Sequence, residues 1–343
     1  MMSLHNLLDA NQQFALNGRG TTNHCPMALH ALAEMGADEA RLNDFFAYWL
    51  RDKALPASPG SRLADEGQDP EARFSQLRAD FSGKVAKEGW QPLFAQIVAQ
   101  GISPASGAFH PMIRLACAIE NGHQGEQAAA LAAWHCKPLH LPQGLGAPCP
   151  DLPALLARLH ETLGGWHSNQ RWITARLRQV AEMPSFVQAL PNSLARQKLT
   201  QKHDGPDDLL GTLAELALAL YWQTRDFTVL HLVTGTRAAS LIAAQLGEPL
   251  RGDFIRLLWQ GVAAAYVTVG APALGAPRWP DLGAISWQQV TTLAIASDDD
   301  HCIKLVHTCW RERAVSPHYL AVAAREVGLL ADDRPDERHT AAR

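Results

Sequence analysis

The chain has 343 residues, a net charge of −4 and a pI near 6.4, with 47% hydrophobic and 19% charged residues. This balance supports a folded core, and no basic run or stripe marks nucleic acid or a membrane surface as a partner. No apolar run reaches the ~18 residues a bilayer span needs, and the start shows no charged segment followed by an apolar one, so a cytoplasmic protein is expected.

Ala- and Leu-rich segments with helical spacing follow one another, separated by Pro/Gly clusters. The spacing predicts helices over 3–16, 26–35, 38–51, 70–81, 90–99, 110–121, 125–134 and 152–163. Further helices are expected over 170–182, 207–222, 226–246, 252–268, 286–296, 298–311 and 316–328. Pro26 and Pro111 stand in first turns, where no amide donor is needed. Ser297 before Asp298, Asp299 and Asp300 supplies a capping residue and acidic side chains for the positive end of a helix. Segments 54–69, 136–151 and 271–284 are rich in Pro, Gly or Asp and are expected as loops, and the polar tail from Ala331 as frayed. Alternating β-branched runs are almost absent. The expected fold is therefore all-α, a single multi-helix domain over 1–330 with its site buried between helices.

The six cysteines (Cys25, Cys117, Cys136, Cys149, Cys302 and Cys309) form no CxxC pair and read as free thiols. Fifteen histidines are a more informative count, because several stand in apolar surroundings where a polar ring needs a partner. His24 and His110 precede Pro26 and Pro111; His231 lies in Phe227-Thr228-Val229-Leu230-His231-Leu232-Val233; and His301 opens His301-Cys302-Ile303-Lys304-Leu305-Val306. Neutral imidazoles on separate helices are a usual way to hold a first-row metal inside a bundle. For any one of them alone, capping a helix or hydrogen-bonding a neighbour is the more ordinary role. His307 competes with His301, whereas His30 reads as a supporting or surface residue. His123, His135, His140, His160, His167, His203, His318 and His339 sit in loops or polar surroundings and suggest no catalytic role.

Lys304 shares a helix face with His301 and is flanked by Ile303, Leu305 and Val306. If it points inward, burial favours the neutral amine, which can act as a base, form a Schiff base, or take up carbon dioxide as a carbamate. Alternatively it reaches solvent or pairs with an aspartate of the 298–300 run. Arg114, one turn beyond His110, is a candidate to orient a phenolate or a carbamate, a surface or helix-capping role being the more ordinary alternative. Trp49, Trp90, Tyr221, Trp222, Trp259 and Tyr266 either line an aromatic cavity or, more ordinarily, fill the core. No GxGxxG, Walker loop, HExxH or GxSxG occurs, so no motif supports a nicotinamide or flavin site.

Four blocks carry a resemblance: Thr22-Asn23-His24 with Pro26-Met27-Ala28-Leu29; Ala108-Phe109-His110 with Ile113-Arg114-Leu115-Ala116; Phe227 to Gly235; and Asp299 to Leu305. Together they resemble, in order, the questin oxidase-like family. The resemblance implies an α-helical enzyme that uses dioxygen to insert oxygen into, or open, a ring of an anthraquinone-type substrate. It further implies a mononuclear non-haem iron(II) held by His24, His110, His231 and His301, with a carboxylated Lys304 as a further ligand. NADPH enters only through descriptions of a Baeyer–Villiger-type oxidation in that family. A metal-free oxidase of that kind and a non-catalytic helical small-molecule-binding protein are the alternatives.

Overall fold

The computed structural model describes residues 1–57, 69–193 and 209–330. The expected tail from Ala331, most of loop 54–69, His203 and His339 lie outside the described residues.

α1 (Leu4–Asn11) is followed by a short antiparallel hairpin of β1 (Asn17–Gly18) and β2 (Thr21–Thr22). Then come α2 (Cys25–Glu34), α3 (Glu39–Asp52), α4 (Pro70–Glu88) and α5 (Gln91–Ala99). A 3-10 turn over Ser106–Phe109 leads into α6 (His110–Glu120), with α7 (Gln124–Cys136) and α8 (Leu152–Leu163) after it. α9 (Ile173–Ala181), α10 (Pro184–Ala189), α11 (Leu209–Thr224), α12 (Phe227–Ala243) and α13 (Leu250–Thr268) are next. α14 (Trp287–Ala296), α15 (Asp300–Arg311) and α16 (His318–Glu326) are the last described elements. The hairpin is the only sheet among the described residues, so the all-α expectation is met.

Departures from the expected boundaries have local causes. α1 stops at Asn11 because residues 17–22 pair as the hairpin, its turn passing through Gly20 at φ +72°. α4 runs past 81 to Glu88, since Phe74, Phe81 and Val85 keep one buried face in phase. The helix expected over 170–182 begins only at Ile173 and ends at Ala181, and Pro184 starts a further short helix, α10, that was not expected. Ser297 does not cap α15: that role falls to Asp299, whose carboxylate accepts from the His301 and Cys302 amides. Elsewhere Ser3, Asp38, Asp151 and Asp226 cap as short polar residues should, and Ser286 with Gln289 completes a capping box on α14.

Contacts divide the chain into two compact units. The first comprises Met1–Leu93, Ile113–Cys136 and the described residues from Arg278 onward. Here α2 packs on α1, α3 and α15, and α4 lies along α7. Leu7, Leu8, Leu29, Phe45, Trp49 and Ile303 are fully buried together, each large side chain contributing about 2 kcal/mol of hydrophobic stabilisation. Trp49 is thus core packing, the ordinary alternative for it.

The second unit comprises Phe94–Met112 and Lys137–Pro277. α12 packs on α11, α13 and the 106–109 turn, and α13 also meets α8 and α9. Gly261 on α13 lets the 103–105 backbone approach: a Cβ there would stand 3.1 Å from the Ala105 Cβ. Tyr266 and Trp259 are buried in α13, and the Tyr266 hydroxyl donates to the Pro272 carbonyl at 2.6 Å.

Candidate metal centre

In the first unit three side chains from two elements meet at one carboxylate oxygen. His24 is the residue before α2, 1% exposed, and its Nδ1 lies 2.8 Å from Asp300 Oδ1. His301, in the first turn of α15, places its own Nδ1 2.9 Å from the same oxygen. The two rings stand edge to face, centroids 4.6 Å apart. Lys304 Nζ lies 3.8 Å from that oxygen, one helical turn further along. Lys304 is 6% exposed, so it does not reach solvent; it is both interior and paired with an aspartate.

A carboxylate can only accept, so both Nδ1 atoms carry their protons and the neutral rings keep lone pairs on Nε2. Burial by itself opposes the Asp300 charge, yet His24 and His301 outweigh it and hold this carboxyl well below the ordinary range. Burial, opposed by Asp300 and Asp299, lowers Lys304. Burial first, and then the Lys304 charge, push His24 down from 6.5 to about 3, against the pull of Asp300. Such a ring binds fewer protons folded than unfolded between these two values, so stability falls as pH drops through that window. In metal-free protein this amounts to about 4 kcal/mol between pH 6.5 and 3. Denaturant titrations across that range should show the slope flattened in His24→Gln; an unchanged slope would show that His24 titrates normally.

In the second unit His110 and His231 form a facing pair. The approach to His110 is a left-handed turn, with Gly107, Ala108 and Phe109 at φ +57°, +56° and +66°. Ser106 anchors it, its hydroxyl donating to the Ser103 carbonyl at 2.7 Å and accepting from the Leu139 amide at 3.0 Å. The turn brings the Gly107 carbonyl to 2.7 Å from His110 Nδ1. On α12 the Phe227 carbonyl lies 2.7 Å from His231 Nδ1. Carbonyls only accept, so both rings again have Nδ1–H and a lone pair on Nε2. These two Nε2 atoms are 3.0 Å apart. Neutral rings present their lone pairs to each other here, an arrangement that a shared proton or a bound metal cation satisfies, and neighbouring ligands on one metal at ~2.1 Å stand ~3 Å apart.

Left-handed backbone costs a non-glycine residue about 1 kcal/mol, and strain of this kind is characteristic of functional sites. Ala108→Gly should therefore raise stability by about 1 kcal/mol, read from the urea midpoint. A lower midpoint would mean the turn is not strained.

Arg114 donates through Nε to Glu126 at 2.6 Å, both side chains buried, and Glu126 also takes a hydrogen bond from Gln12. It ties α6 to α7. His123 serves α7 in the same local way, its Nδ1 accepting from the Glu126 amide at 3.0 Å. His30, read as supporting or surface, is 1% exposed and bonded to Glu120. Asp300 is the residue that sequence reasoning missed as a centre of the site. Its i,i+4 relation to Lys304 was visible, but its bond to His24 spans 276 positions. The surface groove formed by Leu139, His140, Arg178 and Glu182 contains none of the candidate ligands.

The donor chemistry suits a metal. Ligand atoms of Asp299, Asp300 and His301 lie within 4.8 Å of one another, a group that could hold an ion. All four candidate histidines also have Nδ1 fixed by an oxygen acceptor, the arrangement that orients metal-ligating imidazoles. The sequence profile described as Questin oxidase-like matches residues 21–309, most of the chain and all four blocks that contain the candidate histidines. The chain belongs to this family. Membership of the questin oxidase-like family suggests an oxidoreductase acting on aromatic substrates. No curated protein matches the chain. Among the described residues of this questin oxidase-like chain, no helix is long and apolar enough to cross a membrane.

Proposed function

We propose that the chain is an oxygenase that uses dioxygen to insert oxygen into, or open, a ring of a phenolic or quinone-type small molecule. Its metal would be one non-haem iron(II), with His24, His110, His231 and His301 as ligands and Lys304, as a carbamate, completing the set. The observation that carries this reading is the common orientation of the four imidazoles: each has its Nδ1 hydrogen-bonded to an oxygen, leaving Nε2 as the donor. Bound iron would supply activation of dioxygen toward an electron-rich ring.

The protein's own part is to hold and exclude. Asp300 keeps two imidazoles in the ligating tautomer, and the Gly107 and Phe227 carbonyls do the same for the other two. Burial favours the neutral Lys304 amine, the form that takes up carbon dioxide, while Asp300 at 3.8 Å favours the ammonium. A carbamate there would set two anions side by side, so its formation is coupled to a bound cation. Arg114 is a positioning residue in this reading, fixing α6 through Glu126. Phe227, about half exposed, has its ring centroid 4.8 Å from that of His231 and offers an aromatic surface to a planar substrate. Six cysteines that form no disulfide suit the reducing cytoplasm, where we place the protein.

Elemental analysis of untagged, anaerobically purified protein tests the proposal. Approximately one iron per chain, with oxygen uptake on addition of a dihydroxyanthraquinone, is the expected result. Protein that takes up no iron but oxidises the quinone with NADPH would replace this reading by the metal-free route.

A further inference from the structure

α12 carries three threonines, and two of them turn their hydroxyls back into the helix. Thr234 Oγ1 donates to the Leu230 carbonyl at 3.2 Å, and Thr236 Oγ1 to the Val233 carbonyl at 3.1 Å. Thr228 stands in the first turn, where α12 has no carbonyl four residues back to accept. Its amide donates to the capping Asp226 carboxylate at 2.6 Å. Its hydroxyl, on a residue 0% exposed, has no hydrogen-bond partner among the described residues. Burying a hydroxyl in this way is unfavourable and calls for a reason.

Helix geometry fixes which way the residue faces. Thr228, His231 and Gly235 are spaced i, i+3 and i+7, so they share one side of α12. On that side His231 Nε2 meets His110 Nε2 at 3.0 Å, and a Cβ on Gly235 would stand 3.4 Å from Met112 Cε and Phe109 Cδ1. The side therefore faces the 109–112 segment, and Thr228 is the residue on it nearest the start of the helix. Beside it Phe227, about half exposed, sets its ring centroid 4.8 Å from that of His231. An unsatisfied hydroxyl, an imidazole and a solvent-facing aromatic ring are thus gathered within about one turn of α12.

We propose that the Thr228 hydroxyl is a substrate-binding group that hydrogen-bonds an oxygen substituent of the planar aromatic substrate lying against Phe227. The inference rests on the oxygenase reading above and deepens it by naming the residue that recognises the substrate's oxygen. A threonine hydroxyl both donates and accepts, so it serves a quinone carbonyl or a phenol hydroxyl. Its β-branched side chain has few rotamers in a helix, so the hydroxyl loses little freedom on binding. An analogue without the matching oxygen is disfavoured, because it leaves the buried hydroxyl unpaired.

The test measures binding apart from turnover, by equilibrium dialysis of the full-length protein supplied with iron and kept free of oxygen. A dihydroxyanthraquinone and anthracene are the two probes. Thr228→Val keeps shape and burial but removes the hydroxyl. It should weaken dihydroxyanthraquinone binding about tenfold and leave anthracene binding and iron content unchanged. Its melting temperature without ligand should equal or exceed the parent's, since only an unpaired hydroxyl is lost. Thr228→Ser restores the hydroxyl and should bind the quinone within threefold of the parent. Quinone binding by Thr228→Val within twofold of the parent overturns the proposal. So does a lower melting temperature or a failure to fold, because the hydroxyl would then have a structural partner. Parent protein that holds iron and consumes oxygen with the quinone, while Thr228→Val binds it equally, removes the Thr228 contact and leaves the oxygenase reading intact. Hydroxyl-dependent binding by a protein that takes up neither iron nor oxygen does the reverse.

Discussion

His231→Ala is expected to lose iron while its far-UV circular dichroism stays that of the parent. His231 is 1% exposed within α12, and its Nε2 faces His110 Nε2 at 3.0 Å. Alanine is a stronger helix former than histidine, and α12 is held by Val229, Leu232, Val233, Ala239 and Ile242, all buried. The fold therefore bears only a cavity of imidazole size, costing about 2 kcal/mol. In the proposed ligand set the metal would lose one ligand outright, and because removing even the partner of a ligand lowers affinity 10–100-fold, a fall of at least ~100-fold is expected. Competition against a calibrated chelator measures it. Affinity within threefold of the parent would take His231 out of the ligand set, and with it the argument from the paired Nε2 atoms.

Asp300→Asn should be the most damaging conservative change in the first unit. One oxygen of Asp300 serves His24 at 2.8 Å and His301 at 2.9 Å, with Lys304 at 3.8 Å. The amide keeps the volume and one acceptor but removes the charge. Hydrogen bonds to charged groups contribute ~1.5–3 kcal/mol each, and Lys304 is left buried without its anion, so a loss of about 3–5 kcal/mol is expected. Metal affinity should fall a further 10–100-fold because His24 and His301 lose the carboxylate that fixes their tautomer. Thermal unfolding of metal-free protein separates the two effects, since the stability loss must appear there as well. A melting temperature equal to the parent's would mean that Asp300 is not the hub its geometry describes.

Helix content was readable because it depends on local periodicity and punctuation. The helix expected over 152–163 coincides with α8, where Asp151 caps the first turn and Leu155, Leu156 and Leu159 form the buried stripe. The reading failed where the decision was not local. Residues 12–16 have helical composition, yet the chain turns there so that residues 17–22 can pair, and the Leu16 and Asn17 amides are taken by Glu71. Ser297 is as good a capping residue as Asp299 by type, and its hydroxyl accepts the Asp299 amide instead. Which of the two begins the helix depends on packing, not propensity.

The same division holds at the site. His24, His110, His231 and His301 stood out in the chain because each sits beside a helix-starting proline or within an apolar run, and such patterns survive without coordinates. Sequence by itself determined the helical class, the placement of those histidines at helix starts or in a buried stretch, and the family. Tertiary structure alone decided which acceptor each ring turns toward. It also decided that Asp300 gathers three side chains, that Lys304 is buried, and that His30 and His307 meet. The physical reason is the range of the interactions. Periodicity, capping and proline effects act within a turn or two of helix, whereas the bond from His24 to Asp300 joins residues 276 positions apart and exists only once α2 and α15 have packed.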